Sequence, residues 1–151
     1  MPVWKKGRGL FGPLAPLIGE WASAPAEQES QRTMPCSRTF QAFGKGWIEL
    51  RAIWHIGEQG SYRETAFFGP AADGALGFHS FTNDGKRSEG RLADGADVHA
   101  EAVAFEAQMP AGLARMIYWP LDDGAPGFQF AVESRTQKGW NRFLRQIYRP
   151  S

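Results

Sequence analysis

The chain has 151 residues, room for one domain that buries a full core without help from metals or disulfides. Its 17 basic and 16 acidic residues leave a net charge of +1, which excludes the basic footprint of a nucleic-acid binder or of a protein held electrostatically on an anionic membrane. An aromatic content of 13% with 18 glycines suits a small all-β protein, in which rings fill the interior and glycines close the hairpins.

Residues 1–12 read as an N-terminal extension and 13–151 as the folded domain. Lys5, Lys6 and Arg8 precede an apolar run over 9–19, and Ala22-Ser-Ala24 has the small-x-small form of a signal-peptidase site, so export is one reading of this segment. Pro13 and Pro16 interrupt the run, and Glu20 and Trp21 stand where small residues are wanted. The same stretch also reads as a short helical turn feeding a strand at Trp21, and a cytoplasmic location is the expectation. No segment reaches the roughly 18 uninterrupted apolar residues of a membrane-spanning helix. The single cysteine, Cys36, has no disulfide partner and no metal-ligand spacing around it, and reads as an inert, buried thiol.

From Ser37 onward, extended segments alternate with turn residues. Strands are predicted over 37–43, 47–56, 61–69, 75–82, 86–92, 97–105, 113–121, 128–135 and 140–149, about ten with the short strand at Trp21. Sequential hairpins without a crossover helix make an up-and-down antiparallel sheet, and that many twisted strands close to remove their edges. A single antiparallel β-barrel is therefore the expected fold, with a two-sheet sandwich as the alternative.

Turn lengths assign faces. A four-residue loop at 71–74 pairs Phe68 with Gly77, Ala66 with His79 and Glu64 with Phe81, and a two-residue Asp84-Gly85 turn pairs Phe81 with Ser88 and His79 with Gly90. One face then carries Glu64, Ala66, Phe68, Gly77, His79, Phe81, Ser88 and Gly90. The other holds Arg63, Arg87, Glu89 and Arg91 and belongs to solvent. Glu64 and His79 are thus expected inside, beside glycines that leave room for a cavity. Two readings of the pair stay open: a ligand-binding or acid–base site, or buried groups that only satisfy each other's hydrogen bonds, with a one-residue slip exchanging the faces. On the strand from Trp47, the apolar set Leu50, Ala52 and Trp54 is expected inside, because burying Glu49, Arg51 and His55 together demands complete pairing.

No nucleophile elbow, phosphate-binding glycine loop or His-Glu-x-x-His motif is present. The cluster Lys138-Gly-Trp-Asn-Arg142 reads as a hairpin turn rather than a nucleic-acid platform.

Leu14-x-x-Leu17-x-Gly19-x-Trp21, the segment Tyr62-Arg-Glu-Thr-Ala-Phe-Phe68 and the final Ile147-Tyr148-Arg149 together resemble the lipocalin-like (calycin) barrels of bacteria, including nitrobindin-type haem barrels. The resemblance implies that Trp21 closes the barrel floor and that an arginine of the last strand, best matched by Arg145, packs across it as a cation over an indole. It also implies haem held by a histidine of the last strand. Residues 140–149 contain none and Phe143 falls at that position, so haem here would need His79 or His55, and no cofactor is expected. The reading reached is a barrel that binds a small hydrophobic or amphipathic molecule without catalysis, lined by Trp54, Phe68, His79, Phe81 and Phe143, with Glu64 as acceptor. An isomerase-type or haem-dependent enzyme using Glu64 and His79, and a structural barrel with a filled core, are the alternatives. A homodimer is left open.

Overall fold

The computed structural model describes residues 4–23, 35–55 and 60–151. A 3-10 helix at Gly12–Leu17 leads into ten strands: β1 Gly19–Ser23, β2 Cys36–Phe43, β3 Trp47–His55, β4 Ser61–Pro70, β5 Leu76–Thr82, β6 Arg87–Ala93, β7 Val103–Met109, β8 Gly112–Pro120, β9 Phe128–Thr136 and β10 Gly139–Pro150. Each strand pairs antiparallel with its sequence neighbours, and β1 also pairs with β10, so the sheet closes into a barrel without an exposed edge. The protein is an all-β, ten-strand antiparallel barrel with one short helical turn at its start, consistent with a lipocalin-like barrel in general terms.

The Gly-x-Trp element has a local physical cause. The Trp21 indole folds back over Gly19, where an added Cβ would lie 3.4 Å from the ring, and its Nε1–H donates to the Leu17 carbonyl at 2.7 Å. That bond ties the end of the 3-10 helix to β1, and Leu14 and Leu17 are fully buried in the main core. Trp21 meets Phe128 edge-on at 5.2 Å, within a cluster that runs through Phe40, Phe68, Phe105, Tyr118, Phe130 and Tyr148. Residues ahead of the helix are docked rather than free: the Trp4 indole donates to the Glu101 carbonyl and the Lys6 ammonium to the Ala102 carbonyl, both at 3.1 Å. Of the small-residue site at 22–24, Ala22 and Ser23 lie in β1, and Ala24 lies outside the described residues.

Three expectations are corrected. The strand expected over 97–105 begins only at Val103. Residues 94–102 instead form consecutive turns, in which Asp94 Oδ1 accepts from the Ala96 amide and His99 Nδ1 from the Glu101 amide, local bonds of the kind that compete with a sheet ladder. Val98 and Ala102 of this segment cover Ala104, Ile117, Trp119 and Ala131 on the outer wall, making a second, smaller core outside the barrel.

The second correction is one of register. β4 and β5 pair as Phe68↔Phe78, Ala66↔Ser80 and Glu64↔Thr82, and β5 and β6 as Phe78↔Gly90 and Ser80↔Ser88. Both hairpins use three-residue loops closing on a glycine in the left-handed region, Ala72-Asp-Gly74 with φ +86° and Asn83-Asp-Gly85 with φ +88°, a geometry that favours glycine. In each, the central aspartate accepts from the amide two residues on: Ala75 to Asp73 at 3.1 Å and Lys86 to Asp84 at 3.3 Å. One loop shifts the expected register by one residue and the other shifts it back. β4 and β6 therefore keep their expected faces, and only β5 is reversed, turning Phe78 and Ser80 inward and His79 and Phe81 outward.

The third concerns Arg145. It pairs with Ala131 on the outer face of β10 and donates to the Gln129 side chain, whereas Trp21 packs on the inner face, so the two stand on opposite sides of the wall.

Candidate functional site

The barrel is packed at one end and hollow at the other. Toward the 3-10 helix, Phe40, Phe68, Phe128 and Tyr148 fill the interior, with Phe128 stacked on Tyr148 at 5.0 Å. Toward the hairpin ends of β5–β6, β7–β8 and β9–β10 lies a cavity of about 660 Å³, within the range of small-molecule sites. Its walls are mainly apolar: Trp54, Phe78, Phe105, Met116, Phe130 and Val132. The directly opposed Ala107 and Ala114 help keep the middle open, since neither side chain reaches far from the wall. Lys86, Arg87, Met109 and Phe143 stand at the mouth.

Polar atoms make up a small part of the wall, although Tyr62, Thr82, Ser88 and Ser134 also line it. Glu64 points in from β4 and accepts from the Ser80 hydroxyl at 2.5 Å. Arg38 points in from β2 and is almost completely buried, at 1% exposure. Its strand alternates Cys36, Arg38 and Phe40 inward against Ser37 and Thr39, so the cation rides on the strand's apolar face. The guanidinium lies 4.0 Å from the centroid of the Phe130 ring and 5.3 Å from that of Trp54, a cation over aromatic faces. Its Nη1 donates to the Tyr118 hydroxyl at 3.0 Å and its Nε to the Tyr148 hydroxyl at 3.3 Å, and Tyr148 in turn donates to Gln146 at 2.6 Å. Arg38, Ala52 and Glu64 stand in one cross-strand row, the small Ala52 leaving open space between cation and carboxylate.

Burial works against the charge of Arg38, and the surrounding Tyr118, Tyr148, Cys36 and Glu64 outweigh it, so the guanidinium is held in its charged form. At neutral pH the phenols and thiol are uncharged, which leaves Glu64 as the one formal negative charge in that set. Burial pushes the Tyr118 hydroxyl up to about 12, with Arg38 pulling the other way, and raises Tyr148 and the Cys36 thiol as well. Cys36 is thus a buried protonated thiol.

Of the residues expected to form a site, Trp54, Glu64 and Phe143 line the cavity. Phe143 is the unpaired residue of a bulge between Arg142 and Leu144 and stands at the rim, 60% exposed. Phe68 faces inward but belongs to the packed end, in contact with Phe105 at 4.9 Å. His79 and Phe81 are on the outer surface, where His79 Nδ1 lies 3.5 Å from Glu89 and Phe81 is half exposed. Glu64 and His79 therefore face opposite sides of the wall, and no acid–base pair is assembled from them. The space expected beside Gly90 is taken by Phe78, whose ring would lie 2.5 Å from an added Cβ. Arg38, Tyr118 and Tyr148 escaped the sequence reading. Their signal was available in the alternation of β2, where the face carrying Cys36 and Phe40 also carries a charge.

A haem held by imidazole does not fit this lining. His55 is exposed at the end of β3, His79 is outside, and His99 sits in the outer 94–102 segment, so none of the three histidines reaches the cavity. In comparisons with known proteins, no family model and no curated sequence matches the chain.

Proposed function

We propose that this protein is a non-catalytic, lipocalin-like (calycin-type) binder of a small hydrophobic or amphipathic molecule, held in the hollow end of the barrel. The observation that carries this reading is the contrast between the two ends: the same strands that interlock aromatic rings around Phe128 leave about 660 Å³ open around Trp54, Phe105 and Phe130. An unfilled apolar volume of that size forfeits packing stabilisation, and a ligand with an apolar body restores it. The apolar wall with few convergent polar groups is the usual character of a small-molecule site.

The test is titration with a neutral, environment-sensitive dye such as Nile red, on the wild type and on Ala114→Trp, which fills the cavity from β8. Saturable fluorescence enhancement is expected for the wild type and at least about a tenfold weaker affinity for the variant, a factor equivalent to about 1.4 kcal/mol. No saturable binding by the wild type, or undiminished binding by a folded variant, contradicts the reading.

A further inference from the structure

We propose that Arg38 is the recognition point for the anionic head of the bound molecule, which makes the ligand class a monocarboxylic acid with an apolar chain or ring. The inference rests on the binding reading above and goes beyond it by fixing the chemistry of the ligand's polar end.

A guanidinium carries five N–H donors. At Arg38, Nε and one Nη1 donor are taken by Tyr148 and Tyr118. Among the described residues Nη2 has no hydrogen-bond acceptor, and no carboxylate forms an ion pair with the group. The residue is nonetheless almost wholly buried and forms part of the cavity wall. An ionised side chain removed from water without a counter-charge in contact is costly, and Glu64, whose carboxylate is bonded to Ser80, stands across Ala52 rather than against it.

The donors left over are the second Nη1 hydrogen and both on Nη2. Free donors on two nitrogens of one planar fork suit the two oxygens of one carboxylate. The two tyrosines fix the plane of the fork in advance, so little side-chain freedom is lost when an acid docks. The apolar part of the ligand then extends along Phe130, Val132 and Met116 toward the mouth, where Lys86 and Arg87 supply positive charge on the entry path of an anion. Glu64 opposes the same acid at longer range and disfavours ligands with a second carboxylate, hence a monocarboxylate.

The experiment compares decanoate, 1-decanol and decyltrimethylammonium at neutral pH by competition with the neutral dye, on the wild type and on Arg38→Met. In the wild type, decanoate is expected to bind about 10- to 100-fold more tightly than decanol, with the cation weakest. Arg38→Met is expected to lose that preference while keeping decanol binding within a few-fold. Equal binding of acid and alcohol by the wild type overturns the assignment of Arg38 and leaves the cavity reading standing. Failure of all three to compete overturns both. Should Arg38→Met not fold, the wild-type comparison decides alone, and Glu64→Gln supplies a second variant, expected to tighten decanoate but not decanol; equal changes for both ligands contradict the proposal.

Discussion

Arg38 joins a high cost to a specific position. Its neighbours are rings and hydroxyls, and an apolar side chain of similar length would bury the same surface without desolvating a charge. If the charge serves a ligand, removing it should cost the empty protein little. Arg38→Met is therefore expected to leave unfolding free energy within about 1 kcal/mol of the wild type or to raise it, as read by urea denaturation. A loss of more than about 3 kcal/mol, the size associated with breaking a buried charge network, would identify Arg38 as structural. The residue was legible in principle, since Cys36, Arg38 and Phe40 share one face of a period-2 strand. Its surroundings were not legible, because Tyr118 and Tyr148 lie 80 and 110 positions away.

Among the elements, the strands were readable and the turn geometry was not. Alternation and glycine-containing turns mark nine of the ten strands closely, and β3 shows its expected inner face of Leu50, Ala52 and Trp54; the middle of the turn after it, 57–59, lies outside the described residues. The spacing at 71–74 is compatible with a four-residue loop or with a three-residue one, and that at 83–85 with a two-residue loop or a three-residue one; in each the difference of one residue decides which face of β5 is buried. Sequence spacing alone does not separate these, and the four- and two-residue choices put His79 and Phe81 inside. At 94–102, alternating small residues imitate a strand while Asp94 and His99 bond their own backbone. That segment is fastened to the barrel by Arg115, which is buried against Glu133 at 2.7 Å, reaches Asp97 through two bonds of 2.9 and 2.7 Å, and stacks at 4.2 Å on Trp140. The Arg115 hydrogen bonds hold the Asp97 carboxyl below its ordinary range. A depressed carboxyl pKa contributes stability that is present above the unfolded value and is lost as pH falls through the folded one. The Asp97 side chain is about half exposed, so the contribution is screened and Asp97→Asn is expected to cost only about 0.5–1 kcal/mol. Amide protection over 94–102, taken relative to the intrinsic exchange rate at each pH, should fall in acid in the wild type, and should already be lowered at neutral pH in the variant. Unchanged protection in both would remove the fastening role.

For the whole molecule, closure of the barrel follows from hairpin succession, and its incomplete filling does not. Composition supplies enough aromatic volume to fill one end, and rings in mutual contact from Phe40 to Tyr148 do so. Whether the other end fills depends on where small residues such as Ala107 and Ala114 fall opposite one another, a matter of tertiary register. The outer wall also carries exposed rings, Phe43 and Trp47 among them, so binding of an apolar compound by itself does not locate it. Location is settled by an amide-resolved NMR titration of the wild type with decanoate. Binding in the hollow end gives saturable shifts concentrated at Arg38, Trp54, Ala114, Phe130 and Val132. Shifts confined to the outer wall near Phe43, Trp47 and Phe67, or no shifts at all, would contradict it.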